Sequence, residues 1–176
     1  MSQFFRYVLG AVAALGFVLS LAVHIQALMG RDVASSVPAV WMLHLGIFVV
    51  FLPFVLLSRK DFKGARSALD LAKGLPLWVA ALGGVIFVYA LMNFVVFMVH
   101  TDGGNPVFED GKYLLMQHGK LIREITASEF AAFQANELRG FSGHWLVFYF
   151  VPAAYFLFWK RDAQALSSST LVDKAG

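Results

Sequence analysis

Cysteine is absent from this 176-residue chain. That rules out disulfide scaffolds, thiolate metal sites, iron–sulfur clusters and covalently attached c-type haem. It also removes the membrane enzymes that generate disulfides on a four-helix scaffold. Charge is scarce as well: Asp, Glu, Lys and Arg supply 14% of the residues, against about a quarter in soluble domains. None of these four residue types lies within 7–29, 39–57, 77–99 or 141–159. Proton-coupled transporters and pumps carry ionisable residues inside their spans, so this vacancy argues against that class. HExxH, a Walker-type loop and an intramembrane Ser/His/Asp arrangement are all missing. The net charge of +3 is a topology signal and gives no reason to expect a nucleic-acid partner. No catalytic residue is assigned, and whether the protein is an enzyme stays open.

What the chain has is apolar surface. It is 59% hydrophobic, with 18 Phe, more than a soluble fold of this size could cover. The excess must face a lipid bilayer. A membrane-crossing helix needs about 20 mostly apolar residues, and four stretches meet or approach this: Tyr7–Met29, Ala39–Leu57, Leu77–Val99 and Phe141–Trp159. The first is read as a true span, because its apolar run is too long for a signal peptide. The fold class is therefore an all-α integral membrane protein, a four-helix bundle. Residues 1–161 form the membrane domain, with 101–140 as an extracytoplasmic module between spans three and four. The polar tail 162–176 reads as disordered and cytoplasmic.

Basic residues in the connections set orientation. Arg6, Arg59, Lys60, Lys63, Arg66, Lys73, Lys160, Arg161 and Lys174 fall on one side. Arg31, Lys112, Lys120, Arg123 and Arg139 fall on the other, among seven acidic residues. The richer side is cytoplasmic, so both termini face the cytoplasm. Compactness and this asymmetry suggest a bacterial inner membrane. Trp41, Trp78, Trp145 and Trp159 lie near span ends, as interfacial aromatics do.

In the module, TDGGNP opens a loop. KYLLMQHGKLIREIT predicts a β-hairpin, Lys112–Gln117 with Leu121–Thr126, turning at His118-Gly119. The expected register sets Met116 opposite Leu121 and Leu115 opposite Ile122. Thr126 and Glu129 have capping-box spacing, so a helix should start there and end near Leu138, stopped by Arg139-Gly140.

Four histidines fall near span ends: His24, His44, His100 and His144. The threading puts all four on the outer side. At about 1.5 Å rise per residue, His24, His44 and His144 lie roughly 5–8 Å inside the outer boundary. His100 lies at the boundary. Ala13, Gly16, Ser20 and His24 form a small-residue stripe that should face other helices. Gly83, Ala90, Asn93 and His100 form a second, with Asn93 as an interhelical hydrogen-bonding group. Converging imidazoles could hold Cu or Zn, and two facing ones a haem b iron. In general architecture the arrangement resembles the four-helix membrane b-type cytochromes, although no motif of that family accompanies it.

Three functional expectations follow. The first is an accessory, scaffold or interaction component without a catalytic site, using residues 101–140 as a surface for another membrane or periplasmic protein. The alternative is a redox or metal-handling protein, with His24, His44, His144 and His100 as ligands to haem b or a Cu/Zn ion. The third is a lipid-handling protein that uses helices kinked at Pro53 and Pro152.

Overall fold

The computed structural model describes residues 2–63, 72 and 74–159. The tail 162–176 and the basic residues Arg66, Lys73, Lys160, Arg161 and Lys174 lie outside the described residues.

Ser2 starts helix α1 (Gln3–Leu28), its hydroxyl accepting from the Phe5 amide at 3.3 Å. A connection follows, made of the one-turn helix α2 (Val33–Ser36) and a 3₁₀ turn (Pro38–Trp41). It leads into α3 (Met42–Ser58). Helix α4 is Leu77–Val99. Three strands come next: β1 (Asn105–Glu109), β2 (Lys112–Gln117) and β3 (Lys120–Glu124). The last element is α5 (Ala127–Phe158). Four helical segments are long and apolar enough to cross a membrane: Gln3–Leu28, Pro38–Ser58, Leu77–Val99 and Ala127–Phe158.

Helix α5 is the hub. Helices α1, α3 and α4 all pack on it, and α1 meets α4 through the side chains of His24 and Tyr89. The stripe Ala13, Gly16, Ser20 and His24 is buried. Opposite it, α5 buries Leu138, Trp145, Tyr149, Ala153 and Phe156. Helix α4 buries only Val79, Ala90 and Asn93, and its remaining apolar side chains are mostly exposed. In water that would be untenable; in lipid it costs nothing. At the far end, Arg6 caps α5. Its guanidinium donates to the carbonyls of Phe156 at 2.7 Å and Trp159 at 2.7 Å. A helix C-terminus leaves such carbonyls without partners.

Three expectations are corrected. First, Arg139-Gly140 does not end a helix. The module's helix and the fourth span are one rod of 32 residues. Gly140 stays helical because α4 lies against it: a Cβ there would sit 2.6 Å from Phe97 Cγ. Close approach, not helix termination, accounts for the glycine. Second, the hairpin is a three-stranded antiparallel sheet in the order β1-β2-β3. The GGNP stretch runs straight into β1. Pro106 is tolerated because β1 is an edge strand. Asp110 (φ 50) and Gly111 (φ 75) make the β1–β2 turn, as His118 (φ 49) and Gly119 (φ 78) make the next. Met116 does face Leu121, but Leu115 faces Arg123, because the register shifts between Leu115 and Met116. Third, Trp145, expected among the interfacial aromatics near span ends, is fully buried in the core and lies midway along α5.

The sheet packs on the first half of α5 through Leu115, which is fully buried, and through Tyr113 stacked on Phe130. Both capping-box bonds are present: the Glu129 amide donates to Thr126 Oγ1 at 3.2 Å, and the Thr126 amide to Glu129 Oε2 at 2.7 Å.

Candidate functional site at the sheet end of the helices

His24, His44 and His144 lie beside the 140–145 stretch of α5, and His100 lies nearer Asn136 and Arg139. His24 is buried, and both its ring nitrogens are committed. Ser142 Oγ donates to the Arg139 carbonyl at 3.3 Å, so it must accept from His24 Nδ1 at 2.8 Å. His24 Nε2 then accepts from the Tyr89 hydroxyl at 2.5 Å. That assigns a neutral imidazole with its proton on Nδ1. His44, on α3, accepts from the buried Trp145 Nε1 at 3.0 Å. His144 turns back along its own helix to the Gly140 carbonyl at 2.8 Å and packs on Phe94. His100 does the same, donating to the Val96 carbonyl at 2.7 Å, and it is exposed.

Among the described residues, no three His, Cys, Asp or Glu side chains are grouped to hold a metal ion. The expected convergence of His24, His44, His100 and His144 is therefore not formed. The reason is local: in a low-dielectric core an imidazole pairs with the nearest polar group, and each ring finds a donor or an acceptor on its own helix or on a neighbouring one. Helix periodicity reports which face a residue occupies, not where its ring nitrogens point.

The polar groups converge instead around Arg139. Its carbonyl accepts from Asn93 Nδ2 at 3.0 Å as well as from Ser142. A chain of hydrogen bonds therefore runs Tyr89–His24–Ser142–Arg139–Asn93 and ties α1, α4 and α5 together. Gly143 allows this closeness, since a Cβ there would collide with the Asn93 amide and approach His24 Cε1 to 3.6 Å. Asn93 thus has the interhelical role its position suggested. The Arg139 side chain runs one turn toward the sheet, donating from Nη2 to Asn136 Oδ1 at 2.8 Å. Its Nε is buried and bonds to nothing among the described residues.

Beyond Arg139 opens a cavity of about 430 Å³ between the ends of α1 and α4, floored by α5. Arg139, Asn136, His100, Leu28 and Val99 line it, as do Arg123, Asp102 and Glu129 at its mouth. Arg123 is neutralised there, by Glu129 at 2.8 Å and Asp102 at 3.5 Å. Sequence reasoning passed over this site because Arg139 beside a glycine looked like a helix stop. The available signal was Asn93, an amide six residues before the end of an apolar span, which needed a polar partner.

Glu129 lies well before the apolar stretch that begins at Phe141. The Thr126 amide, then Arg123, then the Thr126 hydroxyl hold its carboxyl down to about 2. The Glu129 carboxylate in turn raises Arg123. A depressed carboxylate stabilises the fold above its ordinary range and loses that contribution as pH falls through the folded value. Thermal unfolding should therefore separate wild type from Glu129→Gln most at neutral pH. The gap should close between the ordinary value of 4.5 and about 2.

No family model, curated protein or solved structure matches the chain.

Proposed function

We propose that the protein is an integral membrane protein of the bacterial inner membrane and that its role is non-catalytic. It holds a small extracytoplasmic module at a fixed height as a docking surface for another membrane or periplasmic protein. The observation that carries this reading is the unbroken α5. Its 32 residues extend about 48 Å at 1.5 Å per residue, against a hydrocarbon core of about 30 Å. Roughly a third of the rod must then stand clear of the lipid, and the sheet packs on that third. Nine basic residues on the side of the termini, against five on the module's side, support N-in, C-in threading.

The module also keeps apolar side chains uncovered, with Phe108 57% and Leu121 55% exposed. Photo-crosslinking amino acids at Phe108 and Leu121, activated in living cells, test the docking role. One discrete protein adduct from these positions, with none from lipid-facing Val88, is the expected result. Lipid adducts alone from all three would contradict it.

The redox reading, with haem b or Cu/Zn on His24, His44, His100 and His144, has less behind it. Both His24 nitrogens are used, and His100 is the only one of the four that lines the cavity. Purified protein should show neither a Soret band nor a dithionite-reducible α-band, and elemental analysis should find no stoichiometric Cu or Zn.

A further inference from the structure

We propose that the cavity beside Arg139 binds the phosphodiester head group of an anionic phospholipid, with the Arg139 guanidinium as its principal ligand. This rests on the membrane reading above and adds a specific lipid to it.

Of the two arginines that line the cavity, Arg123 is neutralised by Glu129 and Asp102. Arg139 has no carboxylate within salt-bridge distance among the described residues. One of its donors, Nε, is buried with no acceptor. A guanidinium stays charged in any protein environment, so Arg139 is a cation with no direct ion-pair partner among the described residues, although the two arginines and two carboxylates that line the cavity sum to zero.

Depth makes that charge costly. Asn93 bonds to the Arg139 carbonyl, and Asn136 Nδ2 donates to the Phe97 carbonyl at 3.2 Å. Arg139 therefore sits level with the last two turns of α4, where hydrocarbon gives way to head groups. An unpaired cation at that depth is stabilised by an anion from the same layer. The planar fork of a guanidinium suits two oxygens of one phosphate.

Shape agrees. The volume of about 430 Å³ falls in the ~300–1,000 Å³ range of small-molecule sites. The cavity opens between the ends of α1 and α4. Leu28 and Val99 stand at that opening, 52% and 70% exposed, where the glycerol and first acyl methylenes would lie. Asn136 fixes the guanidinium from one side. On the opposite wall His100 has its Nδ1–H committed to Val96, so a neutral ring offers a ligand oxygen no N–H.

The test is native mass spectrometry of the full-length protein in mild detergent, titrated with dioleoyl phosphatidylglycerol or dioleoyl phosphatidylcholine. One phosphatidylglycerol should be retained, about tenfold more tightly than phosphatidylcholine, because the choline ammonium cancels the charge of the phosphodiester that both lipids carry. Arg139→Gln should abolish the preference, and Arg139→Lys should keep part of it. Ala132→Glu leaves Arg139 in place and adds a carboxylate at an exposed cavity position. It should also abolish the preference, so the test survives if Arg139→Gln misfolds. Arg31→Gln, on the same side but outside the cavity, should change nothing. Equal binding of the two lipids, or a preference that survives both Arg139→Gln and Ala132→Glu, would overturn the assignment. Displacement of the lipid by millimolar sn-glycerol 3-phosphate would also overturn it, showing that the site takes a soluble phosphate. A protein that stays monodisperse without detergent would remove the membrane reading as well.

Discussion

Trp145→Ala is expected to cost about 3 kcal/mol of unfolding free energy in a mixed-micelle denaturation, the low end of the range for emptying a large aromatic site. The low end applies because the unfolded helices stay in the micelle. The transfer of the ring out of water then drops out, and the packing and cavity contributions remain. Those contributions are large here. Trp145 is fully buried in the core where α1, α3 and α5 meet. Its ring lies edge-on to Trp41, centroids 5.9 Å apart, and 6.2 Å from His44. Its Nε1–H is the bond that His44 accepts. Trp145→Phe keeps most of the volume and loses only that bond, so it should cost about 1 kcal/mol. If Trp145→Ala cost no more than His44→Ala, the ring would be shown to act through its hydrogen bond and not through packing.

The second large effect comes from adding atoms. Gly16→Val should lower stability by about 2–3 kcal/mol, the upper part of the overpacking range. A Cβ at Gly16 would overlap the Tyr149 ring. The ring cannot retreat, because its hydroxyl donates to the Leu43 carbonyl at 2.7 Å. That hydroxyl in turn occupies the space a Cβ on Gly46 would need. Tyr149 is thus a wedge fitted between α1 and α3, with a glycine on each side. A double-mutant cycle isolates the clash: in a Tyr149→Leu background, Gly16→Val should cost much less. An unchanged cost would mean that the glycine matters for some other reason, such as backbone flexibility.

How much of this was legible in the sequence depends on the kind of signal. Helix α4 begins and ends where its apolar run does, because lipid tolerates no unsatisfied backbone and the run has no ambiguity. The α1 stripe pointed inward because small residues recur at Ala13, Gly16 and Ser20, and His24 continues them. The capping box at Thr126 and Glu129 was readable because its two bonds are local. Strand β1 was hidden by GGNP, although Asp110-Gly111 is itself a strong hairpin signal and could have revealed it. The continuity of α5 through Arg139-Gly140 was not readable, since glycine ends a helix or admits a neighbour according to what packs on it, here Phe97. Ring orientation was beyond reach for the same reason. His44 and His144 sit on helices apolar on nearly every side, where periodicity does not fix rotation. Their hydrogen-bond partners, Trp145 and the Gly140 carbonyl, are set by tertiary packing and helix geometry.

The central claim is the threading: four crossings, both termini inside, and the sheet outside on the free third of α5. Because the chain has no cysteine of its own, single cysteines can report it cleanly. Asp110→Cys, at the β1–β2 turn, should react with a membrane-impermeant maleimide on intact spheroplasts. Ser2→Cys and Lys60→Cys should react only after lysis. Labelling of Lys60→Cys from outside, or protection of Asp110→Cys until lysis, would contradict the account.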